Sequence, residues 1–84
     1  MKNPLSQHYN EADDQLLIEK AVNGDKKALN DLIVNHEPFI YNVAWKFTND
    51  PDEASDLTQE VLIKVITKLS TFKGNSSLRT WLFS

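Results

Sequence analysis

Apolar residues recur at helical spacing through most of the chain, and the strict alternation of a half-buried strand is absent. A short first helix is predicted to begin with Asp13 or Asp14 as its cap and to run to about Asn23, where Gly24 stops it. Residues 1–12 are polar and are expected to form a poorly ordered lead-in. The residues expected to face inward from this helix are Leu16, Leu17, Ile18, Ala21 and Val22.

Asp25 restarts the chain into a long second helix, predicted from about Lys26 to Thr48. The phase of its apolar face continues across Pro38, which predicts one kinked helix rather than two. Its core face is predicted to comprise Leu29, Leu32, Ile33, His36, Ile40, Val43, Ala44 and Phe47. A second stripe on another side predicts more than one covering neighbour, and therefore a compact bundle of three to four helices; this stripe comprises Val34, Tyr41 and Trp45.

The third helix is predicted to extend from Asp50 to about Phe72. Asp50 can cap it, Pro51 suits the first helical position because it has no N–H to leave unpaired, and Glu53 can reach back as in a capping box. Its predicted core face comprises Ala54, Leu57, Val61, Leu62, Val65, Ile66 and Leu69. The opposite arc is polar and carries Asp52, Glu53, Asp56, Gln59, Glu60, Lys64 and Thr67.

Ile63 lies in the middle of that polar arc, between Gln59 and Asp56 when the residues are placed at helical spacing. One interpretation is an isolated exposed apolar residue, which is common on protein surfaces. The other is a small docking surface, with an aliphatic centre and a rim of amide and carboxylate groups. Physical chemistry alone favours the first, because an acidic helix face is usually only solvated.

The segment Phe72–Ser77 connects the third helix to a short fourth helix that is predicted to begin near Ser77. Gly74 and Asn75 permit a tight turn, and Asn75 or Ser76 can cap the following helix. The fourth helix reaches the last residue without a C-cap, so the chain is expected to be a fragment of a longer protein.

Two interpretations of this connecting segment remain open from the residues alone. It is either a hydrophilic connector, with Phe72 and Trp81 in the core, or a site for single-stranded nucleic acid. For the second, it offers a ring, a glycine for close backbone approach, and amide and hydroxyl groups that can bond base edges. Lys73 and Arg79 can contact phosphates. Composition alone favours the connector.

Composition and charge narrow the class of protein. Eighty-four residues suffice for one small domain, and the absence of cysteine excludes disulfides and thiolate metal sites. No apolar run reaches membrane-spanning length and no signal peptide is evident, so a cytoplasmic protein without membrane contact is expected. All twelve acidic residues lie in residues 1–60, whereas residues 61–84 carry four cations and no acid. The end of the chain could therefore face a polyanion, and a solvated helix end explains these four charges about as well.

Catalytic chemistry is not expected of these residues. His8 lies in the predicted lead-in, and His36 lies on an apolar face, where a packed histidine is expected rather than a ligand. Asp56 and Glu60 are spaced to share a metal ion, but without a third ligand they predict an acidic patch. No phosphate loop, zinc spacing or calcium loop is present. We expect a protein that is not an enzyme and holds no metal and no cofactor.

Two segments carry a specific combination of motifs. Asp52–Val61 contains Asp-Leu-Thr-Gln-Glu, and Phe72–Leu82 contains Phe-Lys-Gly followed by Arg-Thr-Trp-Leu. At these separations the chain resembles conserved region 2 of the sigma-70 family, in its extracytoplasmic-function (ECF) branch. The segments Leu16–Asp25 and Ala28–Phe47 also fit that domain, so the resemblance covers residues 13–84.

The resemblance implies an all-α domain that binds the clamp helices of the RNA polymerase beta-prime subunit and recognises the promoter −10 element, partly as melted single strand. It implies that Asp56, Gln59 and Glu60 face the polymerase, with Ile63 as the apolar centre of that surface. An anti-sigma factor is a further partner that the resemblance allows and the sequence does not identify.

The resemblance also implies that the connecting segment holds a flipped base and that the fourth helix meets the −10 DNA. Trp81 either stacks on DNA or packs in the core, and the core is favoured. Leu78 and Leu82 stand where housekeeping sigma factors carry rings, which implies greater dependence on an exact promoter. The residues implied to contact DNA are Phe72, Lys73, Gly74, Asn75, Ser76, Ser77, Arg79, Thr80 and Trp81.

One departure from the family pattern concerns the second domain of ECF factors, which recognises the −35 element and is absent from this sequence. The expected organisation is a flexible lead-in over residues 1–12 and a region 2 helical domain over residues 13–84. A helical interaction module that binds a protein partner and no DNA is the alternative.

Overall fold

The protein is an all-α bundle over residues 11–84, the range that the computed structural model describes, with side chains described from Asp14 onward. The expectations for residues 1–10, including the lead-in and His8, lie outside this range. Within it there is no strand, which confirms the predicted fold class. The elements are α1 (Glu11–Val22), α2 (Lys26–Thr48), α3 (Pro51–Lys68), a 3₁₀ turn (Leu69–Thr71) and α4 (Leu78–Leu82). No helix within the described range is long and apolar enough to cross a membrane.

The turn from α1 to α2 is built as its sequence predicts. Gly24 takes a φ of +100°, a left-handed value that favours glycine, and its N–H donates to Ala21 O at 3.0 Å. Asp25 then caps α2, because its side chain accepts the Ala28 N–H at 3.1 Å. The start of α1 differs from prediction: Asp13 and Asp14 lie inside the helix, which begins at Glu11, and so neither can cap it.

The turn from α2 to α3 also follows the predicted capping. Asn49 adopts a left-handed φ of 52°, and the Asp50 carboxylate accepts the N–H groups of Asp52 at 2.8 Å and Glu53 at 3.1 Å. Pro51 occupies the first turn of α3, as expected. The Asp50 N–H was expected to donate to the Glu53 carboxylate, as in a capping box. It instead lies 3.4 Å from Thr48 Oγ1.

The hydrophobic core lies where α2 packs against both α1 and α3. α2 runs without a break through Pro38, which confirms the prediction of a single helix; the kink stays a prediction. Aliphatic side chains from α2, α3, the 3₁₀ turn and α4 form the main cluster: Leu32, Ile40, Val61, Leu62, Val65, Leu69, Leu78 and Leu82. Burying these groups supplies most of the favourable free energy of folding.

The prediction of Phe47 as a core residue of α2 is wrong, since its side chain is 76% exposed. The buried residues of α2 follow one ridge at intervals of four, namely Ala28, Leu32, His36, Ile40 and Ala44. A ridge of this spacing winds obliquely across the helix surface, so the buried side turns steadily along α2. By the last turn it has moved away from the direction of Phe47.

Other predictions of burial are also wrong. The stripe on α2 that was expected to have a covering helix is exposed, because α1 and α3 cover other sides of α2; it comprises Val34, Tyr41 and Trp45. Leu16 and Val22 are exposed, because α1 faces the core with Asp14, Leu17, Ile18 and Ala21. Ile66 is exposed at the edge of the predicted face of α3. Thr58, which was not predicted as a core residue, is buried in the middle of that face, and the Thr58 hydroxyl donates to Ala54 O at 2.8 Å.

The cap of α3 gives a direct test of this fold. Asp50→Ala leaves the N–H groups of Asp52 and Glu53 without their side-chain acceptor, so we expect the free energy of unfolding to fall by about 1 kcal/mol. Urea denaturation followed by circular dichroism measures the change. Ser55→Ala, at an exposed position inside α3, is the control and should leave stability unchanged or slightly higher. Equal stability of Asp50→Ala and the native chain would contradict the cap.

Candidate functional site

The four residues predicted for the docking surface lie together on α3. Asp56, Gln59, Glu60 and Ile63 follow the spacing of one helix face and are all exposed, with Ile63 at 55%. Among the described side chains, neither Asp56 nor Glu60 takes part in an ion pair. We call these four residues the docking arc. It is an acidic surface with an aliphatic centre and no competing partner within the described part of the chain.

Lys64 departs from its expected place on the solvated polar arc. It is half-buried, and its ammonium group donates to Trp81 O at 2.8 Å. Glu60 stands one turn earlier at a spacing that suits an ion pair, yet Lys64 reaches α4 instead. α3 therefore contacts α4 through a charged group as well as through the core.

The cap of α4 is Ser77, so the predictions of Asn75 or Ser76 are wrong. Ser77 Oγ accepts the Thr80 N–H at 3.2 Å. The chain reaches this position because Gly74 adopts a φ of +76°, which lets the connector turn before α4 begins. Ser76 remains exposed, whereas Ser77 is half-buried.

A cleft of about 260 Å³ separates the connector from α1. Its connector side is formed by Phe72, Lys73, Gly74, Ser76 and Ser77, which are among the residues predicted to hold a base. Its α1 side is formed by Asp14, Gln15, Ile18 and Glu19, which the sequence did not indicate. Asn75, also predicted to contact a base, is exposed and does not line the cleft. The α1 wall depends on packing between segments about sixty residues apart in the chain.

Trp81 packs against protein groups on two sides. Its ring meets Phe72 in an edge-on arrangement, with centroids 5.6 Å apart, and the Lys64 ammonium lies 4.6 Å from its centroid. The ring is half-buried, so it is neither a fully buried core residue nor a fully open stacking surface. Phe72 also lines the cleft, so Trp81 packs against a residue of the cleft wall.

Arg79 is half-buried and is held by contacts with α2. Its Nε donates to His36 Nδ1 at 3.1 Å, and its guanidinium lies 4.2 Å from the centre of the Phe39 ring. His36 Nε2 lies 2.8 Å from Asp14 Oδ1, while Asp14 Oδ2 is buried and has no hydrogen-bond partner among the described residues. Because a guanidinium can only donate, Nδ1 accepts, and the proton of a neutral imidazole is then on Nε2, which donates to Asp14. We call these three residues the buried relay.

The buried relay joins α1, α2 and α4. His36 is 2% exposed, which confirms the prediction of a packed histidine, and Asp14 is 5% exposed. Among the described residues, no group of three or more His, Cys, Asp or Glu side chains could hold a metal ion. The relay is therefore a hydrogen-bonded contact that fixes α1 and α4 to the same point of α2.

Comparison with known proteins decides which family carries this arrangement. Residues 32–84 match the family described as Sigma-70 region 2. The chain belongs to the sigma-70 family. The region 2 match includes the docking arc, the connector and α4, together with α2 from Leu32 onward.

Curated relatives agree with the ECF branch of the sigma-70 family. The chain is 37% identical over 70 residues to the RNA polymerase sigma-H factor of Pseudomonas aeruginosa, a stretch that covers 83% of this chain and 36% of that protein. It is 34% identical over 70 residues to the ECF RNA polymerase sigma-E factors of Escherichia coli K12 and Salmonella typhimurium LT2, with the same coverage. The chain thus spans about a third of the length of these relatives. No solved structure matches it at a significant level.

The buried relay predicts a specific pattern of stability. His36→Phe keeps a ring in place but leaves Asp14 and the Arg79 Nε–H without their shared partner, so we expect a loss of about 3 kcal/mol. Adding Asp14→Leu removes the unpaired carboxyl group and should recover part of the loss, because replacing both partners of a buried pair costs less than replacing one. Urea denaturation of the single and double variants measures this coupling. A double variant no more stable than His36→Phe would contradict the relay.

Proposed function

We propose that this chain is the region 2 part of an ECF-type transcription initiation factor. The docking arc on α3 binds the clamp helices of the RNA polymerase beta-prime subunit, and the connector with α4 recognises and helps to melt the promoter −10 element. The protein acts by binding rather than as an enzyme. The observation that carries the proposal is the region 2 match, which spans both surfaces in one short chain.

The docking arc is suited to a protein interface. Its centre, Ile63, is aliphatic and exposed, and its rim of Asp56, Gln59 and Glu60 presents polar groups free of ion pairs within the described side chains. An apolar centre with a polar rim is the arrangement in which a few residues supply most of the binding free energy. The acidic rim favours a basic surface on the partner and would speed its encounter.

The cleft supports capture of a single base by the connector. Its volume of about 260 Å³ is smaller than sites for drug-sized ligands, which typically begin near ~300 Å³, and it suits one planar ring. Phe72 supplies an aromatic wall, and Ser76 supplies a hydroxyl group. Single-stranded nucleic acids are commonly held by stacking on rings and by hydrogen bonds to the edges of unstacked bases.

Charge distribution supports the placement of the DNA backbone. Lys73 is exposed beside the cleft, where its ammonium group can contact phosphate. Arg79 is also proposed to contact DNA, but its Nε bond to His36 makes it part of the buried relay as well. Lys73 is therefore the cleaner position at which to test an electrostatic contact.

The docking arc gives the first functional test. Gln59→Ala or Ile63→Asp should weaken binding to core RNA polymerase by about 1–3 kcal/mol, as for a central interface residue. Folding should hardly change because both side chains are exposed. A pull-down with core polymerase or with a beta-prime clamp fragment measures the effect. Ile66→Asp, at another exposed isoleucine of α3 outside the arc, is the matched control.

Unchanged polymerase binding in both docking-arc variants would sink the proposed interface. An equal loss in Ile66→Asp would show that α3 binds through a broader apolar surface.

The alternative, a helical interaction module without DNA binding, is tested by titrating polymerase holoenzyme with single-stranded −10 oligonucleotides. Salt-insensitive binding, or none, favours that alternative.

The connector gives the second functional test. Lys73→Ala should weaken binding to every −10 oligonucleotide alike and lower the slope of log affinity against log salt by about 1. Ser76→Ala, at the wall of the cleft, should instead cost most with the preferred base and leave other bases nearly unaffected, whereas Asn75→Ala, outside the cleft, should change binding less. Fluorescence titrations of holoenzyme with oligonucleotides varied at one position, at two salt concentrations, measure both effects. Equal losses on all bases for Ser76→Ala would refute base capture in the cleft and leave only electrostatic contact.

A further inference from the structure

Lys64 contacts the last turn of α4 and Ser84, which follows that helix. Its Nζ donates to Trp81 O at 2.8 Å and lies 3.2 Å from Ser84 Oγ and 3.3 Å from Ser84 O. The same ammonium lies 4.6 Å from the centroid of the Trp81 ring. One cation therefore contacts both the backbone and the side chain of Trp81.

The geometry of these contacts is favourable for a cation. Carbonyl groups in the last turn of a helix carry the negative end of the helix dipole, which attracts a cation. Trp81 O also accepts from the Ser84 N–H at 3.1 Å and from the Ser84 hydroxyl at 2.7 Å, so Lys64 adds the charged donor to this carbonyl group. The face of an indole ring also attracts cations, and most strongly where the cation is partly removed from water. Lys64 is half-buried, and it meets both groups at once.

From these contacts we infer that Lys64 is a positioning residue for Trp81 and the end of α4. It holds the Trp81 ring edge-on to Phe72, and Phe72 forms part of the cleft. Lys64 thus shapes the cleft from α3 without lining it. The consequence for DNA binding rests on the proposed function, whereas the consequence for the Trp81 ring does not.

The first experiment follows the ring itself, in the 84-residue chain. Trp45→Phe leaves Trp81 as the remaining tryptophan, since the chain has two. Adding Lys64→Met keeps an apolar stem of similar length but removes the cation. We expect a red shift of the Trp81 emission and stronger quenching by acrylamide, because the ring is less well held against Phe72. Lys64→Arg keeps a cation and donors, and should restore much of the native signal.

Lys68→Met is the matched control for loss of charge. Lys68 is an exposed lysine one turn further along α3, without a side-chain hydrogen bond or ion pair among the described residues. We expect its emission and quenching to equal those of the Trp45→Phe parent. Unchanged emission and quenching in Lys64→Met, with a native circular dichroism spectrum, would overturn the inference. The same shift in Lys68→Met would overturn it too, because the effect would then come from net charge.

The second experiment separates positioning from direct contact with DNA. Holoenzyme containing each variant is titrated with single strands selected from a randomised pool for binding to the native holoenzyme. Lys64→Met should lower affinity roughly tenfold and leave the salt slope unchanged, whereas a lysine that contacts phosphate would lower that slope by about 1. A lowered slope would overturn the positioning role. A shifted Trp81 signal, with no strand retained even by the native holoenzyme, would support the inference while refuting the proposed DNA binding.

Discussion

The hydrogen bond between Asp14 and His36 joins α1 to α2, and His36 also accepts the bond from Arg79 that joins α4 to α2. α1 contributes partly buried aliphatic side chains to the core, but this bond fixes its position along α2. Polar groups buried away from water interact strongly when paired and are costly when unpaired, so the pair resists displacement. Arg79 extends the contact from His36 to α4. Because α1 forms one wall of the cleft and the connector before α4 forms the other, the width of the cleft depends on this contact.

α3 has a buried face and an exposed face on opposite sides of one helix. Val61, Leu62 and Val65 are buried in the core, while the docking arc points to solvent. A substitution in the arc can therefore test the proposed binding without removing a core contact. The Asp50 cap and Pro51 fix where the helix starts, and so fix which residues fall on each side.

Capping signals correctly predicted the turns at the two ends of α2, because these signals are local. Gly24, Asp25, Asp50 and Pro51 specify their turns through neighbours only a few residues away. Burial was predicted less well, because the buried ridge of α2 turns around the helix and leaves Phe47 outside it. A period counted from one reference residue cannot include that turning.

In the candidate site, too, local features could be predicted from the sequence and long-range contacts could not. The docking arc follows from spacing within one helix, so its residues could be identified from the sequence. The α1 side of the cleft and the buried relay could not, because Arg79 and His36 are 43 residues apart and Asp14 and His36 are 22 apart. The one local sign was a histidine on an apolar face, which requires a buried polar partner but does not identify it.

The short turns have a consequence for how the molecule folds and opens. Residues 23–25 join α1 to α2 and residues 49–50 join α2 to α3, so most helix pairing closes small loops at little entropic cost. The bond from Arg79 to His36 spans a much longer stretch, so α4 and its connector should dock last. By the same reasoning, their backbone amides should exchange with deuterium by local opening, well before those of α2 and α3. Equal exchange rates throughout would show one cooperative unit, whereas faster exchange in the connector and α4 would show that this end of the chain opens without unfolding the bundle.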